Sequence, residues 1–375
     1  MARAAAIVEK FRARYPASGM PRVWRAPGRV NLIGEHTDYN LGLVLPMAID
    51  LACWIAAASS DDGWLRVYSE QLGSGSQWRV EDVPNASPIG DWTDRVAGVA
   101  WELSRRGVEL GGVNLLIDSE VPVGGGLSSS AALGVSLALA LGGLREPLET
   151  AKLARAAETD FVGVPCGIMD QFISASGQEG AAMLLDCRSL EWRTVKLPED
   201  VAIVAANSMV KHQLGDSAYR TRVEECAKAA KRIGVSSLRD AEASKLGRLD
   251  GTSLKRARHV VTENARVERF VSAAATGDGV EMGRVVTESH VSLRDDYQVS
   301  CVELDFLVDA ALRVEGVFGA RMIGGGFGGS TVNLVRPGAV EALKGTLAKE
   351  YRKFHGSEPE IHVCVASAGA SEIII

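Results

Sequence analysis

Apolar and polar positions along the chain follow two different periods, and each period predicts one kind of element. In Asp91–Arg106 the apolar side chains recur every three or four residues, which predicts an amphipathic helix. Nearly unbroken apolar runs at Leu43–Ala57 and Val201–Ala206 instead predict buried strands. The same reasoning predicts further helices at Met1–Tyr15, Leu148–Val162, Cys166–Ser176, Arg220–Ile233, Ala257–Ala275 and Val302–Val314, and further strands at Arg22–Ala26, Val30–Ile33, Trp64–Tyr68, Gln77–Val80, Val113–Ile117 and Ile361–Ala366. Pro27–Gly28 is expected to form a turn between the first two of these strands.

The apolar pattern is interrupted once, near the middle of the chain. It breaks at Leu197–Pro198 before a new strand begins at Val201. A chain of 375 residues is long enough for two domains with substantial cores. We therefore predict two domains, residues 1–200 and residues 201–375.

Composition and charge narrow the range of partners. Apolar residues make up 46% of the chain and charged residues 23%, which is typical of a globular protein. A net charge of −6 argues against general binding to nucleic acid or to an anionic membrane. We expect small-molecule partners. If a ligand is anionic, the positively charged groups that bind it must be concentrated at its site.

The cysteines and the apolar stretches indicate the compartment. The six cysteines form no C-x-x-C pair and no cluster with histidine, so neither a zinc site nor a disulfide framework is predicted. The first 15 residues lack the apolar centre of a signal peptide, and Ala131–Leu144 is too short to span a bilayer. The expectation is a soluble, cytoplasmic protein.

The stretch Val121–Leu133, V-P-V-G-G-G-L-S-S-S-A-A-L, carries the first candidate chemistry. Its consecutive glycines allow several N–H groups to converge on one point. Ser128–Ser130 are placed to cap a helix whose apolar body is Ala131–Leu141. Converging amides, hydroxyls and a helix N-terminus suit a phosphate. The alternative is an ordinary glycine-rich turn before a buried helix.

A second glycine-rich stretch, Met322–Thr331, has five glycines in six positions. Such a backbone suggests that something approaches it closely, although a β-bulge or a packing turn would also explain it. It contains a G-x-G-x-x-G spacing, but the strand-like Ser330–Val335 follows instead of a helix, so it fails as a dinucleotide fingerprint. No G-x-x-x-x-G-K-[ST] occurs, which excludes a P-loop nucleotidase.

Polar chemistry is concentrated in Pro27–Asn40, where Glu35, His36 and Asp38 lie within four residues. Carboxylates accept hydrogen bonds from hydroxyls and imidazole donates or accepts them, so this mixture suits a polyol. Metal binding is less favoured, because hard cations usually need more oxygen donors. The alternative is a solvated polar turn, with Arg29 as a surface ion-pair partner.

Two further acids, Asp170 and Glu158, are candidates for chemistry. Asp170 is the only acid in Pro165–Ser176, where it either caps a helix or faces a substrate hydroxyl. Glu158 either lies on a helix surface or faces the serines of the first glycine stretch and holds a magnesium ion with one of them.

Together these stretches resemble the galactokinases, a family of the GHMP small-molecule kinases. G-R-V-N-L-I-G-E-H-T-D-Y-N at Gly28–Asn40 is similar to the galactokinase signature, and Gly124–Leu133 is similar to the ATP loop of the wider family. Cys166–Phe172, Gly324–Gly329 and Glu288–Cys301 complete the order, so the resemblance covers nearly the whole chain. It implies an α/β (α+β) fold with an N-terminal domain like ribosomal protein S5, a ferredoxin-like C-terminal domain, and the active site between them.

The resemblance also implies a role for each site residue. The implied catalytic residues are Asp170 and Arg29, and the implied sugar-binding residues are Glu35, His36, Thr37, Asp38, Gly167 and Tyr219. The implied ATP-binding residues are Ser69, Gly124, Gly125, Gly126, Leu127, Ser128, Ser129 and Ser130, with Trp92 beside the adenine, and the implied Mg²⁺ ligands are Ser130 and Glu158. Whether Asp170 is a full base stays open, because an arginine that stabilises the transition state also weakens the carboxylate as a proton acceptor.

The implied reaction converts ATP and α-D-galactose to galactose 1-phosphate and ADP, catalysed by a monomer. A kinase for N-acetylgalactosamine or arabinose remains an alternative, because one pocket contact can redirect sugar choice. A non-catalytic galactose sensor is another, disfavoured because Ser130 and Ala131 are both present after the glycines. Mevalonate and homoserine kinases are disfavoured by Glu35–Asp38, which suits hydroxyls better than a carboxylated substrate.

Overall fold

A computed structural model describes residues 2–211 and 215–374, within which ten α-helices and thirteen strands are interspersed. The helices are α1 (Ala2–Arg14), α2 (Asp94–Arg105), α3 (Ser129–Gly142), α4 (Pro147–Ala156), α5 (Met169–Ser176), α6 (Gly215–Ile233), α7 (Gly251–Thr276), α8 (Gly279–Ser292), α9 (Val302–Leu312) and α10 (Val340–His355). The strands are β1 (Arg22–Asn31), β2 (Leu43–Val44), β3 (Pro46–Ser60), β4 (Trp64–Ser69), β5 (Ser74–Arg79), β6 (Gly112–Ser119), β7 (Ala181–Asp186), β8 (Trp192–Lys196), β9 (Ala202–Lys211), β10 (Val317–Met322), β11 (Gly328–Val335), β12 (Glu360–Cys364) and β13 (Ser371–Ile373). Every segment that the sequence predicts as a helix or a strand overlaps an observed element of that type.

The first half is built on a six-stranded sheet in the order β13-β1-β3-β6-β4-β5. Its neighbours pair antiparallel except β4 and β6, which run parallel. Helix α1 buries its apolar face, including Ile7 and Phe11, in a cluster with residues of β1, β3 and β6. Helix α3, which begins at the predicted phosphate-binding stretch, packs against β1 and β3 from within the main core.

The predicted turn at Pro27–Gly28 is wrong, because both residues belong to the continuous strand β1. Its pairing with β3 shifts register between Pro27 and Arg29. A register irregularity accommodates a proline, which cannot donate to the ladder. The strand therefore continues to Asn31 and carries Arg29 toward the centre of the molecule.

The second half is built on a four-stranded antiparallel sheet in the order β10-β11-β9-β12, with α8, α9 and α10 packed around it. Helix α8 was not predicted from the sequence. Its interior Gly283 lowers helix propensity, but a Cβ there would lie 2.0 Å from the carbonyl oxygen of Phe318 in β10. Tertiary packing therefore requires glycine at a position where local propensity argues against a helix.

The last strand does not stay with the second sheet. Strand β13 pairs antiparallel with β1, with Val23 opposite Ile373, so the chain returns to the first sheet after β12. A third, three-stranded sheet in the order β2-β7-β8 lies in the first half. The boundary near residue 200 stays a prediction, but the observed sheets are not divided strictly by sequence.

No single helix among residues 2–211 and 215–374 is both long and apolar enough to cross a bilayer. The segments Ser129–Gly142 and Pro147–Phe161 reach that length and composition only when taken together, and a bend of 112° separates them.

Candidate active site

A cavity of about 300 Å³ lies where the polar loop of the first half meets the glycine-rich stretches. Its wall is made of Arg29, Glu35, His36, Asp38, Gly124, Gly126, Ser130, Glu158, Val164–Gly167, Met169–Gln171, Tyr219, Arg220 and Ile323–Gly329. We refer to Gly34–Asn40 as the acidic loop, to Gly124–Ser130 as the glycine–serine loop and to Gly324–Gly329 as the C-terminal glycine turn. Segments that are distant in sequence thus supply one set of polar groups.

The carboxylate of Asp170 accepts three hydrogen bonds inside this cavity. Arg29 donates from Nε to Oδ1 and from Nη2 to Oδ2, each at 2.8 Å, and the hydroxyl of Ser128 donates to Oδ2 at 2.5 Å. The side chain of Arg29 is 5% exposed, whereas that of Asp170 keeps 29% of its surface exposed. The carboxylate is therefore held in one orientation while part of it remains accessible from the cavity.

Close backbone contact between β1 and the glycine–serine loop places Arg29. Its N–H donates to the carbonyl of Leu127 at 3.0 Å, and its Nη1 donates to the carbonyl of Gly126 at 2.6 Å. A Cβ on Gly28 would lie 2.6 Å from that Leu127 oxygen, so glycine is required for the approach. The guanidinium thus links the acid to the loop predicted to bind phosphate.

The cap predicted at Ser128–Ser130 is confirmed in position but not in chemistry, because the N-cap residue Ser128 does not use its side chain to cap the helix. Ser128 occupies the N-cap position of α3 in the left-handed region, with φ of 62°, and makes no side-chain hydrogen bond to the helix. Its hydroxyl instead binds Asp170. An N-cap serine usually has an extended backbone that turns its hydroxyl to the helix amides, and the left-handed backbone here turns it to the acid.

The rest of the glycine–serine loop is held against the C-terminal glycine turn. Gly124 and Gly126 have φ of 76° and 72°, a conformation that favours glycine. A Cβ on Gly324 would lie 3.4 Å from the Cα of Gly126, and the hydroxyl of Ser330 donates to the carbonyl of Gly125. The close approach predicted at the second glycine-rich stretch is therefore an approach to the first.

Leu127, Ser128 and Ser129, three residues predicted to bind ATP, are not part of the cavity wall. Leu127 is fully buried in the main core, and Ser129 is the first residue of α3. Gly125 is also absent from the cavity wall, although it lies between two residues that form it.

Ser130 and Glu158, the residues predicted to hold a metal ion, lie together on the cavity wall. Glu158 is 8% exposed and lies in a π-helical turn, Ala157–Phe161, that extends α4. Burial raises the pKa of Glu158, the nearby Asp170 charge adds to the rise, and both Arg95 (3.4 Å) and a hydrogen bond with Ser130 oppose it. Among the described residues, no three His, Cys, Asp or Glu side chains form a metal-binding group, so a cation here would need further oxygen donors from its ligand or from water.

Glu35 enters the cavity wall from the acidic loop and is 3% exposed. Its Oε2 accepts from Nη1 of Arg321 at 2.9 Å. Burial raises the pKa of Glu35, and the guanidinium of Arg321 opposes that rise. An ionised carboxylate at this position can accept a hydroxyl hydrogen bond.

His36 contributes a neutral ring to the same wall. The pKa of His36 is lowered to about 3, chiefly by burial, with smaller contributions from the nearby His259 and Arg222 side chains. Its Nδ1 lies 2.9 Å from the hydroxyl of Tyr39, and its backbone is left-handed, with φ of 60°. A neutral imidazole has one donor and one acceptor nitrogen, so this ring suits a hydroxyl partner better than an anion.

Asp38 and Gly167 are in direct contact. A Cβ on Gly167 would lie 1.9 Å from Oδ2 of Asp38, so glycine is required for the carboxylate to occupy its place. The pKa of Asp38 is raised to about 7, chiefly by burial, and the negative charge of Asp170 contributes to that rise. Tyr219 also lines the cavity, and its ring centroid lies 5.5 Å from those of His36 and Tyr39.

Three other predicted residues lie away from the cavity wall. The hydroxyl of Thr37 is 2.8 Å from the carbonyl of Gly34 and 2.7 Å from that of Leu43, so it fixes the acidic loop. Ser69, at the end of β4, accepts a hydrogen bond from the N–H of Leu72 at 3.4 Å. The indole N–H of Trp92 donates to Ser74 at 3.1 Å. The nucleotide roles of Ser69 and Trp92 stay predictions.

Sequence reasoning did not identify Arg321 or Arg95. Arg321 lies in β10 among apolar residues, and no local pattern distinguishes it from an ordinary strand residue. Arg95 lies in the first turn of α2, where a surface arginine is common. Their importance arises only from carboxylates that are distant in sequence.

Models of known families match three parts of the chain. Residues 9–59 match the galactokinase galactose-binding signature, residues 94–178 match the N-terminal domain of GHMP kinases, and residues 270–353 match the GHMP kinase C terminal model.

Full-length relatives and solved structures agree with these matches. The chain is 44% identical over 363 residues to a galactokinase of Chloroflexus aurantiacus, covering 93% of each chain. It is 44% identical over 371 residues to a galactokinase of Chloroflexus aggregans, covering 96% of this chain and 95% of that one. The crystal structure of Lactococcus lactis galactokinase complexed with galactose matches with a TM-score of 0.93 and 34% identity, covering 98% of this chain and 99% of that one. Methanococcus jannaschii mevalonate kinase, at a TM-score of 0.70 and 19% identity over 93% of this chain and 99% of its own, shares the fold alone.

Proposed function

Because the chain belongs to the galactokinases of the GHMP kinase family, we propose that its cavity holds galactose beside the terminal phosphate of ATP, with Asp170 and Arg29 as the catalytic pair. The chain is a galactokinase and phosphorylates galactose. The observation that carries the proposed site is the contact of Arg29 and Ser128 with one carboxylate. Through this carboxylate, Arg29 of β1 and Ser128 of the glycine–serine loop are both hydrogen-bonded to Asp170 of α5.

In the proposed reaction, the anomeric oxygen of galactose attacks the γ-phosphorus of ATP. A new P–O bond forms, the bond from phosphorus to the β,γ-bridging oxygen breaks, and ADP leaves with that oxygen. The hydroxyl proton passes to Asp170, which lines the cavity and keeps accessible surface. Because Asp170 already accepts three hydrogen bonds, we expect most of the rate to come from positioning and charge stabilisation.

Arg29 has two roles in this proposal. Its Nε and Nη2 orient Asp170, and its positive charge lies beside the loop that would carry the phosphates. A buried guanidinium stabilises negative charge that develops on the transferred group, because little solvent screens it there.

Galactose would be held by the polar residues around Asp170. The proposed contacts are Glu35, His36, Asp38, Gly167 and Tyr219, all of which line the cavity. We propose that Thr37 acts through the shape of the acidic loop, because its hydroxyl is engaged by two backbone carbonyls.

ATP is the phosphate donor of the GHMP kinase family, and the glycine–serine loop supplies the site proposed for its phosphates. Left-handed glycines and the start of α3 present backbone N–H groups there. Ser130 and Glu158 fit a magnesium ion, because a hydroxyl and a carboxylate meet on the cavity wall and leave other ligand positions for phosphate oxygens and water. When bound, the ion would neutralise phosphate charge during transfer. We further propose that the enzyme acts as a cytoplasmic monomer, since one chain supplies the whole cavity and all six cysteines are free thiols.

The experiment that tests the substrate is ADP release measured over galactose, N-acetylgalactosamine, glucose, arabinose and mevalonate. Galactose should give the highest kcat/KM. A higher value for another sugar would overturn the assignment of galactose, and binding of galactose without ADP release would indicate a non-catalytic sensor.

A further inference from the structure

We propose that Arg321 is a positioning residue that sets the affinity for the sugar by holding the carboxylate of Glu35. The inference rests on the proposed role of Glu35 as a sugar ligand. Arg321 itself does not line the cavity, so it would act through Glu35 alone.

The guanidinium of Arg321 is fully buried, and each of its nitrogens has a partner. Nε donates to the carbonyl of Leu32 at 3.0 Å, Nη2 donates to that of Asn31, and Nη1 donates to that of Met322 at 2.8 Å. Nη1 also donates to Oε2 of Glu35 at 2.9 Å. A residue of the second sheet therefore fixes the end of β1 and the carboxylate of Glu35, four residues further along the chain.

Other residues hold the backbone of Glu35 without Arg321. Oε1 of Glu263 accepts from the N–H groups of Gly34 and Glu35 at 3.0 and 3.2 Å. Nε2 of His259 lies 3.0 Å from the carbonyl of Glu35. Loss of Arg321 should therefore release the carboxylate while the acidic loop keeps these anchors.

The pairing orients a carboxylate that lines the cavity. Oε2 of Glu35 is engaged by Arg321, and the side chain lies where it can accept a sugar hydroxyl. A carboxylate already oriented by a guanidinium loses less conformational freedom when the sugar binds. Without Arg321, a carboxylate that is 3% exposed would lie unpaired in a poorly solvated place, and it would move or become protonated.

The test compares Arg321→Met, Arg321→Lys and Glu35→Gln, assayed with galactose and with each monodeoxygalactose. Galactose KM should rise about 10- to 100-fold in Arg321→Met, the range expected when a charged hydrogen bond is lost. The KM for ATP should stay within about twofold of the parent, since no contact to the glycine–serine loop is removed. Arg321→Lys should recover part of the loss, because it keeps the charge but not the planar fork.

The sugar panel separates positioning from a general structural role. In the parent enzyme, each monodeoxygalactose that lacks a bound hydroxyl should have a higher KM than galactose. In Glu35→Gln this difference in KM should nearly disappear for one deoxy sugar, and the hydroxyl missing from that sugar is the one that Glu35 binds. The KM difference for the same deoxy sugar should also disappear in the Arg321 variants. The double variant Arg321→Met/Glu35→Gln should have a galactose KM no higher than that of Arg321→Met alone. If Arg321→Met does not fold, Arg321→Lys decides the question by the same comparison.

Arg256→Met is the matched control. Arg256 is 2% exposed, pairs with Glu225 at 2.7 Å and donates to the carbonyl of Asp296, but contacts no carboxylate of the cavity. Its loss should lower thermal stability without changing the ranking of the deoxy sugars. Arg321 variants that raise the KM of every sugar and of ATP alike, or that affect a different hydroxyl from Glu35→Gln, would overturn the inference. A Glu35→Gln enzyme with unchanged sugar kinetics would instead refute the proposed role of Glu35.

Discussion

The guanidinium of Arg29 holds both carboxylate oxygens of Asp170, at 2.8 Å each, although 141 positions separate the two residues in sequence. A bidentate pair fixes the plane of the carboxylate as well as its position. The acid is therefore prepared to orient one acceptor hydroxyl, and the same cation lies beside the loop predicted to bind phosphate.

Replacing Asp170 with asparagine should lower kcat about 10²- to 10⁴-fold, because the variant keeps the shape of the acid but can no longer accept a proton. ATP binding should change little. Steady-state ADP release and a nucleotide titration measure the two effects. Near-normal turnover of Asp170→Asn would rule out proton acceptance by this residue.

Arg29→Ala should lower kcat severely as well, because it removes the cation and leaves the Asp170 carboxylate without its bidentate partner. Arg25→Ala is a suitable control, since Arg25 lies on the same strand but donates to the carbonyl of Ala368 and the hydroxyl of Ser367, away from the cavity. Equal losses in both variants would point to damage to β1 rather than to the site.

The hydroxyl of Ser128 can be tested apart from the helix it precedes. Ser128→Ala and Ser128→Gly both remove the hydrogen bond to Asp170, and kcat should fall about 10-fold in each, the cost of one bond to a charged group. Thermal stability should separate them, because glycine relieves the left-handed φ of 62° and alanine does not. A loss of stability in Ser128→Gly with unchanged kcat would contradict this assignment and favour a capping role.

Gly167→Ala should weaken sugar binding specifically. The added Cβ would lie 1.9 Å from Oδ2 of Asp38, so the carboxylate must leave its place. The KM for galactose should rise about tenfold or more while the KM for ATP is kept. Gly111→Ala serves as the control, because nothing lies within 4 Å of a Cβ there. Unchanged galactose KM in Gly167→Ala would show that Asp38 does not bind the sugar.

Asp38 predicts a pH dependence of stability. Its pKa is about 7 in the folded protein against an ordinary 3.8, so the folded state binds more protons between these values, and its contribution to stability falls as pH rises through that interval. Asp38→Asn removes this penalty. The variant should melt a few degrees above the parent at about pH 8, and the difference should shrink toward about pH 4, where both side chains are neutral. Thermal unfolding across that range measures it, and a difference independent of pH would contradict the assigned pKa.

Glu158→Gln should raise the Mg²⁺ concentration needed for half-maximal activity about 10- to 100-fold, because a neutral amide is a poorer ligand for a hard cation. A titration of Mg²⁺-dependent ATP binding gives the same quantity without turnover. Glu149→Gln on α4 is the control, since Glu149 pairs only with exposed Lys152 among the described residues. An unchanged Mg²⁺ requirement in Glu158→Gln would remove this residue from the proposed metal site.

The sequence alone identifies those site residues that stand in locally unusual stretches. The acidic loop, the glycine–serine loop and Asp170 are recognisable because unusual residue types stand close together in sequence. Seven of the residues chosen on that basis line one cavity (Glu35, His36, Asp38, Gly124, Gly126, Ser130 and Asp170), and five others do not. Thr37 does not, because two backbone carbonyls engage its hydroxyl, and a residue pattern does not reveal which way a side chain turns.

By itself the sequence determined the family, the order of the motifs and the types of most elements, since these depend on residue identity and on periods of a few positions. The tertiary structure alone decided that the Ser128 hydroxyl donates to Asp170 and not to the helix, that β13 pairs with β1, and that Arg321 holds Glu35. Each of these results depends on contacts between segments far apart in sequence. Such contacts are set by how the sheets and helices pack, and local periodicity carries no information about them.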